Sequence, residues 1–184
     1  PLDTTEYIVQ ITTAEGCTLE DTLTVNVIFD LPDPETGDTA MCLGGSVPLH
    51  AGGGSSYEWQ AQPGINSLFT PDPVVSPTAD QYYHVLVTNA CGSVADSAFV
   101  DVQQVIASAW PDTTVCPGET VKLFAAGGFT YSWSPSTALS DPDSSITFAT
   151  PQAPVTYTVT AANALGCEGT ATVTVQHFPQ TQVN

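Results

Sequence analysis

Cations are nearly missing from this chain of 184 residues: one Lys or Arg stands against 19 Asp and Glu, a formal net charge of −18. Lys122 is that single basic residue. Without clustered cations to release counterions, binding to nucleic acid backbones is excluded, and an anionic membrane surface repels the chain. No apolar run approaches the ~18 residues that span a bilayer, so no membrane insertion is expected. The opening Pro1-Leu2-Asp3-Thr4-Thr5 has neither the basic nor the apolar region of a signal peptide. The three histidines, His50, His84 and His177, share no repeated constellation. No G-x-S-x-G, H-E-x-x-H or P-loop accompanies them, so no enzyme and no catalytic residue are expected. A capped apolar stripe of helical period is also missing.

What is present is repetition. Residues 42–59 (CLGGSVPLHAGGGSSYEW) and 116–133 (CPGETVKLFAAGGFTYSW) align at an offset of 74 with nine identities in eighteen columns, Trp59 and Trp133 among them. The register continues through Pro77/Pro151 to Tyr83/Tyr157. A cysteine follows, eight residues after Tyr83 at Cys91 and ten after Tyr157 at Cys167. Tyr7 and Cys17 repeat the ten-residue spacing near the start. We read residues 1–31 as the C-terminal half of a repeat, 32–104 as one complete repeat and 105–184 as another. A lone half-repeat lacks most of its core partners, so the natural protein is expected to continue upstream.

Five cysteines are an odd number. Each complete repeat holds two, so the expected disulfides are Cys42–Cys91 and Cys116–Cys167. Cys17 occupies the second position of its repeat and would be left unpaired by truncation. Such bonds, closing loops of about 50 residues, stabilise by roughly 4 kcal/mol and place the chain in an oxidising compartment.

Within each repeat the period is two. Val121, Leu123 and Ala125 alternate with Lys122 and Phe124, Tyr157 and Val159 with threonines, and Leu23, Val25 and Val27 with Thr24 and Asn26. Such runs, separated by Gly-Gly pairs, Pro and Asn/Asp/Ser clusters, are half-buried strands. About seven short strands around a buried Trp predict an all-β fold of tandem small antiparallel β-sandwiches, immunoglobulin-like in the broad sense.

The pattern C-x-G-x-x-V-x-L-x-A-x-G-G-x-x-Y-x-W, then S-P-S-T-A-L-S-D-P-D, P-x-x-x-x-x-Y-x-V and G-C-x-x-T-x-T-V-x-V resembles PKD-like/Ig-like repeats. These occur in tandem in very large cell-surface proteins exported by the type IX secretion system, including gliding-associated adhesins. The resemblance implies an extracellular, bacterial cell-surface location and a structural or adhesive stalk or filament segment. Its partners would be neighbouring repeats of the same chain and surface glycans or other surface proteins. The alternative reading is a non-catalytic carbohydrate- or protein-binding accessory module of a secreted hydrolase, since the same modules decorate both.

No cofactor is expected apart from calcium at the linkers. Asp30, Asp33, Glu35 and Asp38 cluster in FDLPDPETGD, with Asp141 and Asp143 a weaker pair, and hard cations take carboxylate and carbonyl oxygens. There is no N-x-S/T sequon, yet six of twelve Asp are followed by Ser or Thr, against two or three by chance for 40 Ser and Thr in 184 residues. Five of the six motifs, at Thr4, Thr22, Thr39, Ser97 and Thr113, resemble the D-S/T-A/L/T signal for O-glycosylation in the same bacteria. Trp59 and Trp133 read as core. Trp110 lies in the second linker, where it would pack between modules or offer a flat platform for a sugar.

Overall fold

The computed structural model describes residues 3–27 and 33–179. Fifteen strands and no helix occupy them. The first two, β1 (Thr5–Thr12) and β2 (Thr18–Val25), form an antiparallel hairpin. Tyr7 on β1 is 45% exposed, whereas its equivalents Tyr83 and Tyr157 are 1% and 0% exposed. Ile8, Val9, Ile11, Leu19 and Leu23 are exposed too, because no second sheet covers either face of the hairpin among the described residues.

The next six strands are β3 (Thr39–Cys42), β4 (Val47–Pro48), β5 (Ser56–Trp59), β6 (Val74–Val75), β7 (Gln81–Asn89) and β8 (Gly92–Gln103). One sheet has the order β3-β8-β7-β5 and faces the short pair β4-β6. Alternation decides what is buried: Tyr83, Val85 and Val87 of β7 point inward, and His84 and Leu86 outward. Between the sheets they meet Met41, Leu49, Ala51, Trp59, Val75, Ala98 and Val100.

The second repeat contains β9 (Ser108–Trp110), β10 (Thr113–Val115), β11 (Val121–Ala126), β12 (Thr130–Ser134), β13 (Ile146–Ala149), β14 (Val155–Ala162) and β15 (Glu168–His177). A sheet of order β10-β15-β14-β12 covers one of order β13-β11-β9, and the chain passes from one to the other at the cis Trp110–Pro111 bond. Its separate core holds Leu123, Trp133, Ala149, Tyr157, Val159, Val173 and Val175. The three-stranded sheet β13-β11-β9 is fuller than its two-stranded counterpart β4-β6 in the first repeat for a local reason. Pro48, Pro71 and Pro73 remove ladder donors there, while Lys122 stands where Pro48 does and β11 runs for six residues.

The same polar bonds tie both cores. The indole N–H of Trp59 donates to the Thr70 carbonyl and that of Trp133 to the Ser144 carbonyl, each at 2.9 Å. The Tyr83 and Tyr157 hydroxyls each donate to a carbonyl twenty residues upstream, those of Pro63 and Thr137, at 3.3 Å. These bonds satisfy polar groups that would otherwise be buried at a cost of about 1–3 kcal/mol each. Burial also raises both phenols above the ordinary tyrosine pKa, since the interior disfavours the phenolate.

The inter-repeat junction as candidate functional site

A disulfide joins Cys42 of the first complete repeat to Cys167 of the second, with Cα atoms 5.3 Å apart. The expected within-repeat bonds, Cys42–Cys91 and Cys116–Cys167, are therefore corrected. The reason lies in strand direction. β3 runs parallel to β8, so Cys42 lies beside Gln103, the last residue of β8, whereas Cys91 immediately precedes the first. The 12 residues of β8 span about 36 Å, several times the reach of a cystine. The second repeat has the same polarity: β10 is parallel to β15, with Val115 beside His177 and Cys167 just before Glu168. Each sandwich thus carries its first cysteine at one pole and its second at the other. The exit pole of one repeat meets the entry pole of the next.

Around the bond lies a small core of its own. Val105, Ala161 and Cys167 are buried there, with Cys42, Ala107 and Tyr131 packed against them. The Asn163 amide donates to Gln103 Oε1 at 2.7 Å across the joint, while Asn163 Oδ1 accepts the Cys167 N–H at 2.9 Å. Gly169 is required by close approach: a Cβ there would lie 2.2 Å from the Val105 carbonyl oxygen. The linker backbone is thereby seated against β15, and apolar contact, hydrogen bond and covalent bond converge on one joint.

The other predicted residues are dispersed. Cys17 and Cys116 are exposed, and Cys91 lies in the tight turn between β7 and β8. Asp30 lies outside the described residues. The Asp38 carboxylate accepts the Phe99 N–H at 2.9 Å, as that of Asp112 accepts the Thr174 N–H at 2.7 Å, so both acidic residues tie a linker to the last strand of a sandwich. Glu35 lies against Gly52, and the Asp33 backbone against Gly53. Among the described residues no three His, Cys, Asp or Glu side chains gather closely enough to hold a metal ion. Thr4 and Thr22 are exposed, while Thr39, Ser97 and Thr113 are half-buried. The Asp21 and Asp96 carboxylates accept the N–H of Thr22 and Ser97, a local bond that itself favours the Asp-Ser/Thr pair.

Trp110 is not among the junction residues. It sits on β9, 45% exposed, and stacks on Phe124 of β11 with ring centroids 5.7 Å apart. The Lys122 ammonium lies 5.0 Å from the Phe124 centroid and 5.9 Å from that of exposed Phe148. Phe124 was legible only as an alternating strand residue and Phe148 carried no signal of its own, because nothing in the spacing shows which strands pair. In the first repeat His50 and Asp72, hydrogen-bonded at 2.5 Å, stand where the second has Phe124 and Ile146, so the aromatic platform belongs to the second repeat alone.

No protein-family model and no curated protein matches the chain. Among solved structures it is similar to Sidekick-1 immunoglobulin domains 1–5, at 15% identity and a TM-score of 0.39, covering 95% of this chain and 45% of that one. The extracellular domains 3–5 of Drosophila OTK align at 13% identity and TM-score 0.44, covering 96% and 72%. The titin I-band fragment I67–I69 aligns at 14% and 0.43, covering 96% and 75%. In the second repeat β9, β11 and β13 form one sheet, and β12, β14 and β15 the core of the other. The chain contains tandem immunoglobulin-like sandwiches. Unlike an antibody-type domain, which pins its two sheets together with a cystine, these two use theirs to pin one sandwich to the next.

Proposed function

We propose that this chain is a structural or adhesive segment, a stalk or filament piece, of a large secreted bacterial cell-surface protein of the PKD-like/Ig-like tandem-repeat type. Its units are the half-repeat 1–31 and the repeats 32–104 and 105–184. The Cys42–Cys167 bond carries this reading, because a cystine between modules contributes little to either core and much to holding the joint. A persistent disulfide also fits an oxidising, extracellular setting. The function is to hold geometry under load, without chemistry. Neighbouring repeats are the principal partners, and the net charge of −18 opposes lateral collapse of an array. O-glycosylation at Thr4, Thr22, Thr39, Ser97 and Thr113 belongs to the proposal and is read as added mass on those residues. Calcium at Asp30, Asp33, Glu35 and Asp38 is read by a calcium-dependent rise in melting temperature that D33N/E35Q removes.

The Trp110–Phe124–Phe148 platform favours one second reading, a carbohydrate- or protein-binding accessory module. Display on intact cells, detected with antibody against this chain, together with no saccharide signal on a glycan array, supports the stalk. Saccharide binding that survives high salt and is lost in W110A replaces it with the binding module.

A further inference from the structure

Cys17 and Cys116 are exposed thiols that share their local structure with the two halves of the bonded pair. The five-residue turn 13–17 matches the turn 163–167. In each, the N–H of the first residue donates to the carbonyl of the cysteine, Thr13 to Cys17 at 2.8 Å and Asn163 to Cys167 at 3.0 Å. In each, the glycine before the cysteine donates back to the first residue and has a positive φ, 85° at Gly16 and 88° at Gly166. The cysteine N–H is also held by the first residue's side chain, Thr13 Oγ1 or Asn163 Oδ1. Cys17 is therefore presented as Cys167 is.

Cys116 matches Cys42 in the same way. Both directly follow or end the parallel edge strand at the exit pole, and both carbonyls accept the N–H three residues on, from Gly45 at 2.9 Å and Glu119 at 3.0 Å. At that pole the Nε2 of His177, level with Val115, is buried without a hydrogen-bond partner among the described residues.

We propose that Cys116 is the attachment site for a further immunoglobulin-like module whose last hairpin carries a Gly-Cys turn of the kind seen at 16–17 and 166–167, and that Cys17 is the complementary half of such a staple. The joint between the two sandwiches is then one rung of a repeating ladder, with each bond running from the exit pole of one module to the entry pole of the next. Two thiols lose two protons and two electrons, one S–S bond forms, and a disulfide oxidant such as oxidised glutathione accepts both and leaves as two thiols. The proposal does not depend on where the array is displayed or what it adheres to.

The test lengthens the chain by a second copy of residues 105–184 joined after Pro179, so that Phe178 takes the place of Gln103 ahead of the new module. After refolding with oxidised glutathione, pepsin digestion and mass spectrometry read the bonds, with Cys42–Cys167 as the internal sign of native folding. The expected result is a peptide linking Cys116 to the new hairpin cysteine, with one fewer alkylatable thiol than in a C116S version. A folded product in which Cys116 stays alkylatable, or bonds to Cys91, overturns the proposal. A second measurement needs no added module: concentrated unmodified chain should form head-to-tail Cys116–Cys17 links that C116S and C17S each abolish. Links indifferent to either substitution, or no Cys116 link to a Gly-Cys turn in either experiment, also overturn it.

Discussion

Breaking the Cys42–Cys167 bond should unlock most of the chain's length under tension. Load entering from the N-terminal side reaches β3, crosses from Cys42 to Cys167 and leaves along β15. Everything between, from β4 through the linker to β14, lies inside a covalent loop with a sequence separation of 125. At roughly 3.5 Å per extended residue that loop hides about 430 Å of contour. Single-molecule force spectroscopy on the oxidised chain should therefore show only short releases, as strands outside the loop peel away. Reduction with dithiothreitol, or C42S/C167S, should add about 430 Å, delivered as the two sandwiches open. A bond closing so long a loop also withholds about 5 kcal/mol of chain entropy from the fully unfolded state. The double variant should accordingly melt at lower temperature, and its sandwiches should unfold independently. Equal contour lengths before and after reduction would refute this load path and the pairing on which it rests.

Three further outcomes test the packing. G169A places a methyl group against the Val105 carbonyl; the joint should loosen at a cost of about 1–3 kcal/mol, read as faster reduction of Cys42–Cys167 with the core environments of Trp59 and Trp133 intact, and an unchanged reduction rate contradicts the close approach. Tyr83 and Tyr157 have raised folded-state pKa values, so their contribution to stability is full below the unfolded value near 10 and is lost as pH rises through the folded one. Phenolate absorbance should show two late-titrating groups that vanish in Y83F/Y157F, whereas six tyrosines ionising together in the folded chain contradict it. In hydrogen exchange, amides of β1 and β2 should exchange orders of magnitude faster than those of β7 and β14, since an uncovered hairpin is marginal alone; equal protection would mean that another surface covers it.

Periodicity sufficed for the strands and both cores because a sheet with one buried face writes its pattern directly into alternate residues. Trp59 and Trp133 were readable as core, and Tyr157 and Val159 as one face of an alternating strand, which their counterparts Tyr83 and Val85 share. The disulfide was not readable in that way. Two cysteines per repeat are equally consistent with bonds inside a module and bonds between modules, and only the parallel pairing of β3 with β8 separates Cys42 from Cys91 by a strand length. One clue was present: the ten-residue spacing from tyrosine to cysteine is shared by Cys17 and Cys167, and eight at Cys91 marks a different turn. Trp110 was singled out because its counterpart is Thr36, but its neighbours on the sheet face come from strands adjacent only in space.

The joint at Val105, Gly169 and Asn163 fixes rotation as well as distance between the two sandwiches. A fixed rotation and translation applied again and again is a screw operation. Any run of modules that reuses this joint would therefore wind into a helix of definite pitch and hand, with corresponding faces recurring at set azimuths around the axis.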